Sequence, residues 1–401
     1  MRIIAVSTAE LDSPKKALSE IQAGIEAGGG LARYSVGIAS CVLEFVDTGL
    51  FGYFADNLKF PLVGVTTTTT ATRGRTESFQ FSLLVLTSDE KRFGVALSAP
   101  LGAPEGTPEE SALEKRLRLE SLCHQARRQA AEGLAGEASY GIAFLPSIKG
   151  VSDENLAKAL FGKRKLPIFG CLPVDNTQTK RQREPQVLFE GEAYQDRVAL
   201  LINAGGKAAF FFSDIFKDNI ARQKAIVTKA EGNVAYQIND APVLDYFQTL
   251  GMVEKNILIS LNSNPLILHA RGVGGYIPRV AQAVVPGGGV LFNGEIFEGA
   301  TVSLGLMEPE TVIASTEELC ARLKETPGAK GALLFGCLSR QLNLGVYERR
   351  EIEVVDRELL EESWPWLFAY GGGEMCPFQN DAGETQNAFY NLTAVALAFL
   401  E

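Results

Sequence analysis

A chain of 401 residues, 46% apolar and 21% charged, exceeds one ordinary domain; at about 150 residues per domain it predicts two or three, with material for a large core. Lys plus Arg number 38 against 48 Asp plus Glu, a net charge of −10, which excludes the basic footprint of a nucleic-acid binder and disfavours anionic membranes. With only two histidines, His124 and His269, multi-histidine metal sites are excluded too. The six cysteines, Cys41, Cys123, Cys171, Cys320, Cys337 and Cys376, contain no C-x-x-C and read as small buried side chains in a reducing compartment. Met1–Lys16 lacks the apolar run of a signal peptide, and no stretch approaches the roughly 18 apolar residues of a membrane span, so a cytoplasmic location is expected.

In chain order, Ile3–Val6 predicts a strand, and Ser13-Pro14 caps a helix that ends at Gly28-Gly29-Gly30. A strand over Ser35–Leu43, a helix near Gly52–Leu58 and a strand over Leu62–Val65 follow. Phe79–Thr87 and Arg92–Ser98 read as a hairpin across Ser88-Asp89. Leu113, Leu117, Leu122, Ala126 and Ala130 give Glu109–Leu134 helical spacing with a charged outer face. Next come a strand at Tyr140–Leu145, a helix at Asp153–Phe161, and strands at Pro167–Gly170, Gln186–Glu190 and Arg197–Asn203. Helices are expected at Asp240–Gly251, Glu317–Lys324 and Asp356–Glu362, and strands at Gly331–Cys337 and Thr393–Leu400.

One plan recurs three times. An apolar strand, a helix and a second short strand ending at a Gly-containing turn are followed by a strand that returns through the core. The pairs are Val36–Ser40 with Leu62–Gly64, Ile142–Ser147 with Pro167–Gly170, and Leu333–Ser339 with Trp366–Gly371; the returns are Phe81–Leu86, Val198–Ile202 and Leu392–Leu400. This predicts an α/β fold: mixed sheets built from repeated βαβ units with antiparallel return strands, in two halves, residues 1–215 and 216–401. Ligands in such sheets bind at the carboxyl ends of the strands, where those turns lie.

The turns supply the candidate binding residues. Thr66, Thr67 and Thr68 belong to a run of five threonines, either a hydroxyl-lined wall for a polar ligand or a strand whose hydroxyls satisfy one another. Asp175 and Asn176 follow Gly170 and suit a turn as well as a ligand. Tyr370, Gly371, Gly372 and Glu374 form the third turn, where glycines admit a close backbone and Glu374 offers a carboxylate to an amine. Asn387, Asn391 and Thr393 cluster nearby, and Arg340 offers a fork for a ligand carboxylate or a solvated charge. The Gly272–Gly275 and Gly287–Gly289 runs match no phosphate loop and read as turns or connections. Cys123-His124 points to two faces of one helix, and no G-x-S-x-G is present. Cys171 and Cys376, beside Gly- or Pro-containing turns, leave a cysteine-dependent hydrolase or transferase as one alternative.

Several segments together resemble the FIST family, sensory modules with an amino-terminal and a carboxy-terminal half. They are Leu188–Asp196, Ile226–Val234 with Asn239–Val243, Gly294–Val302, and Tyr370–Glu374 with Asn387, Asn391 and Thr393. The likeness runs from about residue 30 onward; it departs at Gly64–Thr68, where the family often has Gly-Cys-Ser-Thr-x-Gly-Glu, and at Tyr390, where a His is common. It implies a sensor of small molecules such as amino acids or related carboxylates. Output would pass through a separate partner such as a histidine kinase or a cyclase. No cofactor or metal is expected, although some relatives bind haem, which leaves a haem-based gas sensor as a second alternative.

Overall fold

A computed structural model describes residues 1–102, 110–162, 166–175, 184–213, 215–269, 276–380 and 382–400. The first unit comprises β1 (Arg2–Thr8), α1 (Pro14–Ala27), β2 (Tyr34–Cys41), α2 (Glu44–Asp47), α3 (Leu50–Leu58), β3 (Leu62–Thr66), β4 (Thr70–Thr72) and β5 (Phe81–Ser88). The second comprises β6 (Phe93–Leu97), α4 (Ala112–Ala131), β7 (Ala138–Phe144), α5 (Asp153–Phe161), β8 (Ile168–Cys171), β9 (Val187–Phe189), β10 (Glu192–Tyr194) and β11 (Ala199–Ala204). The third opens with β12 (Lys207–Phe212). An inserted layer follows, with β13 (Ala225–Glu231), β14 (Val234–Ile238), β15 (Ala241–Pro242), α6 (Val243–Thr249), α7 (Ile257–Ser263), β16 (Leu266–His269), β17 (Tyr276–Arg279), β18 (Ala281–Val285), β19 (Gly289–Phe292) and β20 (Thr301–Leu304). The third unit then resumes with α8 (Pro309–Lys324), β21 (Ala329–Cys337), α9 (Leu338–Leu344), α10 (Arg350–Leu359), β22 (Trp366–Gly371), β23 (Glu374–Gln379), β24 (Thr385–Tyr390) and β25 (Ala394–Leu400).

The local chemistry accounts for the helix starts. Ser13 Oγ accepts from Lys16 N, with Pro14 in the first turn. Ser111 and Glu114 form a reciprocal capping box that opens α4. Ser152 Oγ accepts from Asn155 N at α5.

The recurrence is borne out in the sheets. β2 runs parallel to β3, β7 to β8 and β21 to β22, and each first strand is flanked by its antiparallel return, β5, β11 or β25. The outer strands β1, β6 and β12 pair in turn with those returns. The strand that leaves each unit's turn joins a different unit's sheet: β4 pairs with β22, β9 with β3 and β23 with β8. The inner faces of the three sheets share one core that includes Val65, Phe144, Phe169, Phe335 and Leu397, while the helices cover separate outer cores.

The expected Phe79–Ser98 hairpin does not form. β5 lies between β1 and β2, and β6 pairs with β11 instead. Both strands are apolar, so local pattern cannot separate adjacent strands of one hairpin from edges of two sheets. The expected helix at Glu317–Lys324 starts earlier, at Pro309, and that at Asp356–Glu362 starts at Arg350. The Gly287–Gly289 run is the turn of the β18–β19 hairpin, with Gly287 and Gly288 at φ of 91° and 78°. The Gly272–Gly275 run and Asn176 lie outside the described residues.

Candidate functional site

The three turns meet at the carboxyl ends of the parallel strands. Thr66 N donates to Gln186 O at 2.9 Å, Leu172 N to Gly373 O at 3.0 Å and Tyr370 N to Thr69 O at 3.2 Å, one such bond per unit. The carbonyls of the same three residues close a ring. Val174 N donates to Thr66 O (3.1 Å), Gly372 N to Leu172 O (2.9 Å) and Thr67 Oγ1 to Tyr370 O (2.8 Å). Backbones this close require missing side chains. A Cβ on Gly64 would stand 1.9 Å from Ala39 O, and one on Gly371 2.8 Å from Cys171 Cβ.

The threonine hydroxyls bond within the protein. Thr66 Oγ1 accepts from Gln186 N (2.8 Å), Thr67 donates to Tyr370 O, and Thr68 donates to Gln341 Oε1 (2.6 Å), whose amide nitrogen donates to Thr69. Asp175 is half-buried beside this ring, and Gly372 packs against Val174 and Pro173 O. Asn387 lies at the opposite end of the sheet, where its amide clamps Ile168 N and Leu166 O at 2.8 Å each.

Arg340 is wholly buried and satisfied from within. Its Nη2 lies 2.6 Å from Glu351 Oε1, its Nε 2.8 Å from the same oxygen, and Nη2 also donates to Thr316, Ser315 and Val312 O. Glu351 is the carboxylate that the fork grips. Tyr370 Oη donates to its other oxygen at 3.0 Å, and burial holds that phenol well above its usual pKa.

Glu374 lies beside this pair, fully buried. Its Oε2 accepts from Thr393 Oγ1 at 3.0 Å and its Oε1 has no protein partner. Burial pushes its carboxyl well above the usual range, against the opposing pull of Thr393 and Arg340. Asn391 is next: its Oδ1 accepts from Asn293 Nδ2 of the inserted layer, and its own Nδ2 is unpartnered. Asn293 exchanges hydrogen bonds with the backbone of Val280, the neighbour of Arg279. Arg279, 3% exposed, donates through Nη2 to Glu154 Oε2 (2.7 Å) and through Nε to Glu295 O (3.1 Å), and its Nη1 has no partner. Asn293 of the inserted layer, beside the strand of Arg279, thus meets Asn391, and Asn391 follows Tyr390, the strand partner of Glu374. Arg279, Asn391 and Glu374 carry an unpaired guanidinium N–H, an unpaired amide and an unpaired carboxyl oxygen. Sequence reasoning missed Arg279, in a strand the apolar pattern does not distinguish, and Asn293, just after another; an arginine in an otherwise apolar YIPR segment was the available signal.

The cysteine alternative lacks a reactive thiol. Cys171 and Cys376 are wholly buried, and burial raises both thiols, with Glu374 adding to the effect at Cys171; Cys337 is raised to about 12 for the same reasons. His269 Nε2 is 2.9 Å from Ser303 Oγ, His124 is exposed on α4, and Tyr390 stacks on Phe212 at 5.0 Å. Among the described residues no three His, Cys, Asp or Glu side chains group as metal ligands, and no helix is long and apolar enough to cross a membrane.

No curated protein matches the chain. Among solved structures, a cyanuric acid hydrolase from A. caulinodans is 10% identical over 100% of this chain and 98% of its own, with a TM-score of 0.37. A second cyanuric acid hydrolase structure is 10% identical over 99% of each chain, with a TM-score of 0.35. At these values the likeness carries no activity over. The FIST N domain matches residues 41–241 and the FIST C domain residues 243–377. The chain therefore belongs to the FIST family, whose domains bind small ligands in sensing and signal transduction.

Proposed function

We propose that the protein is a cytoplasmic sensor of an amino acid or a related small carboxylate, bound between the inserted layer and the carboxyl ends of the strands. The observation that supports this is the set of three buried, unpartnered polar groups on Arg279, Asn391 and Glu374, with Asn293 of the inserted layer bonded to Asn391. Buried polar atoms are mostly paired, so these three are open to a partner from outside the chain. Their chemistry is that of zwitterion recognition, with a guanidinium N–H for a carboxylate, and a carboxyl oxygen for an amine. In this reading Glu374 and Asn391 touch the ligand. Thr66, Thr67, Thr68, Tyr370, Gly371 and Gly372 hold the frame that aims them, with Asp175 at its rim. Arg340 keeps Glu351 and Tyr370 in place behind Glu374.

The inserted layer couples ligand to output. It is fastened to α5 by Glu154–Arg279, by Lys158–Glu295 at 3.1 Å and by Asn155–Glu295 at 3.3 Å, so a ligand under it changes how it seats. A separate partner, such as a histidine kinase or a cyclase, would read that change. Calorimetric titration against the twenty amino acids and a set of small carboxylates tests the proposal. Saturable one-site binding, weakened at least tenfold by Asn391→Ala, is expected. No binding across the panel would overturn it.

A further inference from the structure

The repeated topology makes repeated seams between neighbouring sheets, and they are not sealed alike. Where β1 meets β4, Thr72 Oγ1 donates to Ser7 Oγ at 3.0 Å and Arg75 Nη1 to Ser7 O at 3.1 Å. Where β12 meets β23, Cys376 Sγ donates to Phe211 O at 3.4 Å, and beyond that contact the seam opens into a cleft of about 970 Å3 running toward Lys207 and Gln379. Its walls include Ser139 and Tyr140 at the start of β7 and Pro167 just before β8, so it lies at the end of the strands opposite the Gly turns.

The cleft has the make-up of a ligand site. Tyr140, Phe210, Phe212, Pro167 and Pro377 give it flat apolar walls. The Tyr140 ring meets Phe210 edge-on at 6.3 Å and is 1% exposed, yet its hydroxyl has no protein partner. Arg322 of α8 lies over the Phe211 ring at 5.1 Å and donates to Phe212 O, which fixes a guanidinium at one end of the cleft, while Lys207 lines it at the other end of β12. None of the described lining residues is Asp or Glu, in a chain that carries 48 of them. A local excess of cations over an aromatic floor selects planar anions.

We propose that this cleft is a second binding site, for a planar aromatic carboxylate, with the ring between Phe210, Phe212 and Pro377, the acid group on Arg322, and a polar ring substituent at the Tyr140 hydroxyl. It is independent of the site under the inserted layer. Calorimetric titration of the full chain with 2-naphthoate and 6-hydroxy-2-naphthoate tests it. One molecule of either binds per chain; Arg322→Gln weakens both about tenfold, and Tyr140→Phe weakens only the hydroxylated compound, about fivefold. The neutral 2-naphthylmethanol binds at least tenfold more weakly than 2-naphthoate, and Glu374→Gln changes neither affinity. Ala208→Trp, which fills the cleft, abolishes binding; if that variant does not fold, the two conservative variants decide. Absence of saturable binding up to millimolar 2-naphthoate overturns the proposal, as does binding unchanged by both Arg322→Gln and Tyr140→Phe.

Discussion

Replacing Arg340 separates a structural role from a ligand contact. Arg340 and Glu351 are both fully buried, and the arginine donates to Glu351, Thr316, Ser315, Ser213 and Val312 O. Arg340→Met leaves Glu351 charged and buried with only the hydroxyls of Thr316 and Tyr370. Breaking a buried pair in this way costs about 3–5 kcal/mol, whereas replacing both partners by apolar groups of similar volume costs little. The double variant Arg340→Met/Glu351→Leu should therefore be markedly more stable than Arg340→Met alone. Urea unfolding at pH 7, followed by circular dichroism, measures both. A single variant within about 1 kcal/mol of the parent, or a double variant no better than the single, would refute the buried-pair reasoning.

The Asp153 carboxyl, 6% exposed at the first turn of α5, is pushed up to about 6 by burial, against the lowering effect of hydrogen bonds with Ser147 and Gln282. A raised carboxylate pKa means that Asp153 contributes most stability below its ordinary value and that this is lost as pH rises to about 6. Asp153→Asn should then gain stability relative to the parent at pH 7.5, by at most about 3 kcal/mol and less by the roughly 0.3–1 kcal/mol that an anion gains at a helix start; thermal melts at pH 4 and pH 7.5 check the sign. Gly64→Ala places a Cβ against the Ala39 carbonyl and should cost about 3 kcal/mol or more, while Gly102→Ala, with nothing within 4 Å, should stay within about 0.5 kcal/mol; paired denaturation curves compare them. Iodoacetamide at pH 7.5 should leave Cys171 and Cys376 unmodified in the folded chain and label both in urea, as read by mass spectrometry; rapid labelling of either in the native state would revive a thiol mechanism.

Much of the fold is legible in the sequence because each unit repeats the same apolar grammar. Val36–Ala39, Ile142–Phe144 and Leu333–Cys337 are apolar strand segments of the kind buried on both faces, and each is followed by a helix and a Gly turn. What local pattern cannot carry is the exchange of β4, β9 and β23 between units, since strand partners are chosen by long-range packing rather than by neighbours in the chain. The inserted layer was largely invisible for a related reason. Its strands are short, half-buried and twisted by register shifts, so neither the alternating nor the continuous apolar pattern holds over Ala225–Glu231 or Ala281–Val285.

The candidate site was legible in part. Glu374 and Asn391 stand out as polar residues inside apolar segments, and the structure sets them side by side. Arg340 stands out for the same reason, but its partner Glu351 lies in a helix whose charge pattern looks solvated, so an internal pair reads from sequence as a free fork. The threonine run shows the same ambiguity, since a hydroxyl facing a ligand and one facing a backbone carbonyl come from the same residue.

The most direct test of the central claim is a crystal structure of the protein bound to whichever amino acid or carboxylate saturates it in titration. The account predicts density for that molecule under the inserted layer, with its carboxylate at Arg279 Nη1 and its polar groups within hydrogen-bond distance of Asn391 Nδ2 and Glu374 Oε1. Density elsewhere, with those three atoms still without partners, would contradict it.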